Sequence, residues 1–149
     1  MRLLKPTGDQ WEYELTGNEA LGLKMLLTSF PVTRLFPVKM SKGTHDADSL
    51  DRELLLNQSL ETHRNGLKTA AGRLLKECLH PTGDVWKLTL DPTAKENLLQ
   101  ILNDDRVSCW RALGEPEDIH QRPPGSPARL QLWSTMSVAG FFEEMLLRY

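Results

Sequence analysis

Two short stretches of the chain alternate between apolar and polar positions. Trp11, Tyr13 and Leu15 alternate with Glu12 and Glu14, and Trp86, Leu88 and Leu90 alternate with Lys87 and Thr89. A period of two with aromatic content predicts two short strands, each half-buried on one face. Both follow nearly the same hexapeptide, PTGDQW at residues 6–11 and PTGDVW at residues 81–86. PTGD is turn chemistry: proline fixes its own φ, glycine permits positive φ, and aspartate can bond nearby backbone N–H groups. Both strands then run into helix starts. Thr16 and Glu19 have capping-box spacing, with Ala20, Leu23, Leu26 and Leu27 on one face behind them. Asp91 suits the N-cap, and Pro92 suits the first helical position, where its missing N–H costs nothing. Each unit reads as turn, strand and capped helix, with Trp11 and Trp86 aimed into a shared core. Strands this short are marginal alone, so the two are expected to pair in one small sheet covered by helices. The pattern leaves their relative direction open.

Elsewhere the apolar period is helical. Residues 47–79 place Leu50, Leu54, Leu60, Leu67, Ala71, Leu74 and Cys78 near one side, with Asn65-Gly66 as a break or bend. One helix and two helices joined there are both open. The final stretch predicts an amphipathic helix with a core stripe of Leu130, Trp133, Phe141 and Met145. Ser137 and Gly140 would let a neighbouring helix approach, and Glu144 and Arg148 have i,i+4 spacing. Prolines punctuate variable connectors near 31–46 and 114–127. The expected architecture is one α+β domain over residues 1–149, predominantly helical. Its small sheet is built from the two repeated strand–helix units and packed against four or five helices.

Composition narrows the function classes. A chain of 149 residues with 40% hydrophobic and 26% charged content is that of a globular domain. A formal net charge of -2 gives no broad positive field for nucleic acid or anionic membrane. No apolar run approaches the ~20 residues that span a bilayer, and the start lacks the apolar core of a signal peptide. Cys78 and Cys109 are two lone thiols without CxxC spacing, which fits a cytoplasmic protein with buried cysteines.

The segment LLQILNDDRVSCWRALG (98–114) and the ending FFEEMLLRY (141–149) resemble an uncharacterised bacterial family, the domain of unknown function numbered two thousand and seventeen. Leu102, Asn103, Asp104 and Arg106 match its leucine-asparagine-aspartate...arginine pattern. Phe142, Glu143 and Glu144 follow the family's final helix approximately, with Glu143 where the family has glutamine. The resemblance implies a mostly helical small domain and supplies no settled activity. Its members include proteins linked to regulation in actinobacteria, which favours an interaction role.

The least ordinary local chemistry lies at Asn103, Asp104, Asp105 and Arg106, together with Glu143 and Glu144. Helical spacing puts Asp105 and Cys109 on the line of Leu98 and Leu102, and sets Arg106 beside the apolar face. A charge there must be paired, hydrogen-bonded or extended to solvent. This cluster reads first as a structural ion-pair network and second as a partner-binding or ligand-binding surface. His45, Asp46 and Asp48 offer metal donors, but without ligand spacing they read as capping residues. His63 and His80 read as structural histidines. Arg64, Lys68, Arg73 and Lys76 form a modest basic stripe that could serve a DNA-associated regulator, against the plainer reading of a solvated face. No nucleotide-binding or nucleophile motif is present, and Cys109 reads as a core thiol. No cofactor and no catalytic residue is expected. The leading expectation is a non-enzymatic regulatory or scaffolding domain that binds a protein partner or itself. The alternatives are a helical DNA-associated regulator and a small enzyme whose site the sequence does not disclose.

Overall fold

The computed structural model describes residues 1–4, 6, 8–32, 47–121 and 125–149. Its described elements are β1 (Arg2–Leu3), β2 (Trp11–Leu15), α1 (Gly17–Ser29), α2 (Ala47–Arg73), a π-helical turn (Leu74–Cys78), β3 (Leu79–Thr82), β4 (Val85–Leu90), α3 (Pro92–Ala112) and α4 (Pro127–Leu147). The fold is α+β and mostly helical, with one four-stranded antiparallel sheet in the order β1-β2-β4-β3.

The two expected strands are the inner pair of that sheet, and they run antiparallel. Tyr13 faces Leu88 at the centre, flanked by Trp11 opposite Leu90 and Leu15 opposite Trp86. Each outer strand precedes a PTGD glycine at positive φ: Gly8 at 64° between β1 and β2, and Gly83 at 62° between β3 and β4. Glycine reaches that region without the Cβ clash that other residues meet. The outer strands carry no alternation long enough to read. β1 has two residues, and β3 holds Pro81, which an edge strand tolerates because that N–H need not join the ladder.

The tryptophans do not occupy the centre of the core. Tyr13, Leu15, Leu88 and Leu90 are fully buried, whereas Trp11 and Trp86 are half-buried. Lys24 Nζ of α1 lies 3.4 Å from the centroid of the Trp86 ring, and Lys95 Nζ of α3 lies 4.2 Å from that of Trp11. Both contacts are cation–π lids on rings at the core's rim.

Helix caps form as their letters require. Glu19 N–H donates to Thr16 Oγ1 at 3.3 Å while Thr16 N–H donates to Glu19 Oε2 at 2.8 Å. Asp91 Oδ1 accepts from Ala94 N–H at 2.7 Å, with Pro92 opening α3. Behind the caps, the sheet, α1, the end of α2, α3 and α4 enclose the main core. A smaller apolar cluster of Val32, Cys109, Leu113, Leu132 and Met136 sits where α3 ends and α4 begins.

One open question about the helices is decided and one expectation is corrected. α2 passes through Asn65-Gly66 without a break, and its irregularity falls at the π-helical turn over 74–78 that feeds β3. On α4 the buried stripe is Leu132, Met136, Ala139, Phe142 and Leu146, while Phe141 is 41% exposed and Leu130, Trp133 and Met145 are half-buried. The expected stripe would have run through Ser134 and Ser137, both exposed. The helix instead turns its unbroken apolar line onto the core.

Candidate functional site

The polar cluster on α3 is a clasp. Successive residues of a helix point about 100° apart, so Asp104, Asp105 and Arg106 reach three different neighbours. Asp104 accepts from Arg64 of α2 through a two-pronged contact, Nε and Nη2 each donating at 3.0 Å, and Ser108 adds a longer contact to Nη2 at 3.4 Å. Arg106 pairs with Glu143 of α4. Its stem runs over Gly140, where an added Cβ would lie 3.6 Å from Arg106 Nε and 3.8 Å from Cδ. The small residue there accommodates a side chain crossing between helices. Asn103 is exposed, and Glu144 pairs with Arg148 within its own helix.

Asp105 is the buried member, at 0% exposure. Its Oδ1 accepts from Val32 N–H at 3.2 Å, which fastens the chain leaving α1 to α3. Its Oδ2 has no hydrogen-bond partner. Burial pushes the carboxyl up to about 7, and Asp104 adds to the rise, while the Val32 N–H and Arg64 oppose it. One turn on, burial and Asp105 push the Cys109 thiol up to about 12, so it is a neutral core thiol.

The other sequence candidates do not converge with this cluster. In the basic stripe, Arg64 turns inward to Asp104 and Arg73 lies 3.6 Å from Glu77, while Lys68 and Lys76 are exposed. Asp48 is exposed in the first turn of α2, and His45 and Asp46 lie outside the described residues. His63 is exposed, and His80 Nε2 lies 2.9 Å from the Glu77 carbonyl. Among the described residues, no group of three His, Cys, Asp or Glu side chains could hold a metal ion. No helix among them is long and apolar enough to cross a membrane. A cleft of about 90 Å³ lies between the π-helical turn and the start of α3, lined in part by Arg73, Glu77, Cys78, Asp91 and Asn97. That volume is several-fold below an ordinary small-molecule site. Asp91 there is already engaged as the N-cap.

The feature that sequence reasoning missed is apolar. Leu50, Leu54, Leu55 and Leu56 are each more than half exposed, and Leu67 and Ala71 are the fully buried side chains of α2. Leu50 and Leu54 therefore lie off the core, contrary to their expected place on the buried line. The contacts of α2 explain this. Arg64 meets Asp104 and Ser108, while Ala70 and Leu74 share the small cleft with Ala94 and Asn97, so α2 and α3 run antiparallel. α3 ends at Ala112, one turn past Ser108. The start of α2, up to about Leu60, accordingly stands beyond the end of α3. The sequence did hold a signal: three consecutive leucines span about 200° of a helix, so one neighbour cannot bury them all.

Comparison with protein-family models, with curated proteins and with solved structures finds no match for this chain.

Proposed function

We propose that the chain is a non-enzymatic, regulatory or scaffolding protein-interaction domain whose contact surface is the projecting start of α2. The observation that carries this reading is the group of exposed leucines at 50, 54, 55 and 56. A concentrated apolar surface of this kind is what protein partners cover. The α3 cluster becomes the support of that surface, since Asp104 holds Arg64 of the same helix. The reading extends to a cytoplasmic setting and to the bacterial family suggested by Leu102, Asn103, Asp104 and Arg106. It also takes the two strand–helix units as one architectural motif used twice.

The DNA-associated alternative is weaker, because two of its four cations face carboxylates within the chain. The test is affinity isolation from the native host with the wild-type chain and with Leu54→Glu as baits. Leu54 is exposed, so the variant is expected to fold as the wild type, which circular dichroism checks. Recovery of a protein by the wild type that the variant loses supports the reading. Equal recovery by both sinks it.

A further inference from the structure

We propose that Asp105 is a proton-operated latch. As a neutral carboxyl it holds Val32, and with it the chain leaving α1, against α3. On losing its proton it releases that chain while the helices stay packed. At 0% exposure the carboxyl has one bond, from Val32 N–H to Oδ1 at 3.2 Å, and its Oδ2 has none. An ionised carboxylate offers about four acceptor positions, so a charge here would be left nearly unsolvated. A neutral carboxyl in the same place leaves one uncharged O–H unpaired, which costs far less.

The surrounding charges do not compensate. Among the described residues, no cation is bonded to Asp105. Arg64 of α2 acts on it from a distance but is already paired with Asp104, whose own charge opposes ionisation. On α4, Glu143 is taken by Arg106, and Arg129 donates to the Leu113 carbonyl at 3.3 Å. The Cys109 thiol, one turn on, is neutral. The proton is accordingly held up to about pH 7.

Water reaches the ionised carboxyl only where a wall of its enclosure yields. α3 is tied to α2 through Asp104 and to α4 through Arg106, and neither tie uses Asp105. Phe30 is buried in the main core, and its N–H donates to the Leu26 carbonyl at 3.0 Å. Val32 lies beyond that anchor, held by the Asp105 bond and by its place in the small cluster with Cys109, Leu113, Leu132 and Met136. It is the wall whose polar tie is the latch itself. In the open form the carboxyl is hydrated, and its pKa returns towards 3.8. Between about pH 4 and about 7 the closed form therefore keeps a proton that the open form has released. Opening grows more favourable with pH across that window, by up to about tenfold per unit, and levels off above it.

Amide hydrogen exchange of the intact chain, followed by NMR at pH 5, 6, 7 and 8, tests the latch. Each rate is divided by the rate of an unstructured peptide at the same pH, which gives the opening constant of that amide. For Val32 it is expected to rise about 50-fold from pH 5 to pH 7 and only about twofold more by pH 8. At pH 7 it should exceed the constants of the β2 and β4 amides at least about tenfold, the mark of local opening rather than global unfolding. Asp105→Asn keeps an oxygen for Val32 and cannot ionise, so its Val32 constant is expected to stay flat. The wild-type series decides by itself if that variant does not fold. A pH-independent Val32 constant overturns the proposal, as does one no larger than those of the inner strands. The same rise in a folded Asp105→Asn chain overturns it as well.

Discussion

Asp105 is the residue whose environment departs furthest from its chemistry. A carboxyl with no exposure keeps one hydrogen bond, to Val32 N–H, and leaves its second oxygen unpaired. Burial raises its pKa from 3.8 to about 7. Between those values the folded chain binds a proton that the unfolded chain has released. Stability contributed through this group therefore falls as pH rises from about 4 to about 7, by up to about 1.4 kcal/mol per unit, and levels off above. Asp105→Asn keeps an oxygen for Val32 and cannot ionise. Its stability relative to the wild type is expected to be more favourable at pH 8 than at pH 5, as measured by urea unfolding at each. An unchanged difference between the two pH values would refute this. The two thiols offer a second check at the same scale. Cys78 is half-buried and Cys109 fully buried, with burial the leading cause of a raised pKa in both. Iodoacetamide on the native chain is expected to label Cys78 slowly and Cys109 only after unfolding, as read by peptide mass spectrometry.

Among the elements, legibility followed the range of the interaction. Caps and inner strands depend on neighbours a few residues away, so Thr16 with Glu19, Asp91 with Pro92, and the alternation around Tyr13 and Leu88 could be read directly. The buried side of α4 and the exposure of Leu50 and Leu54 depend on where another helix lies and where it ends, which periodicity does not encode. The continuity of α2 is a further instance. Gly66 suggested a break or bend on propensity, yet the helix continues through it, with nothing within 4 Å of the position a Cβ would take. Alanine there removes a flexible residue from an exposed helix interior without a clash. Gly66→Ala is expected to stabilise the chain by about 0.5–1 kcal/mol in chemical unfolding. A loss of stability would show that the helix needs a bend at this position. Thr16→Ala and Asp91→Ala are each expected to cost about 1 kcal/mol, because each leaves helix N–H groups without their acceptor.

For the whole molecule, α2 is one helix with two different roles. Its later half belongs to the core: Leu67 and Ala71 are buried, and Arg64 is held by Asp104. Its earlier half adds exposed leucines to the surface and little to the enclosed volume. α3 creates that division, since Asp104, Asp105 and Arg106 tie it to α2, to the chain leaving α1 and to α4, and its end sets where the packed layer stops. Substitution along α2 should therefore change character between the two halves. Leu67→Ala removes a side chain enclosed by the core and is expected to cost about 2–5 kcal/mol. Leu55→Ala, on a side chain 66% exposed, is expected to fall within about 0.5 kcal/mol of the wild type. Urea unfolding measures both. Hydrogen exchange gives the same contrast without mutation: amides of the first turns of α2 should exchange ahead of those around Leu67, because fewer packed contacts oppose local opening there. Comparable costs for the two substitutions, with uniform protection along the helix, would mean that the first half of α2 is as much a part of the core as the second.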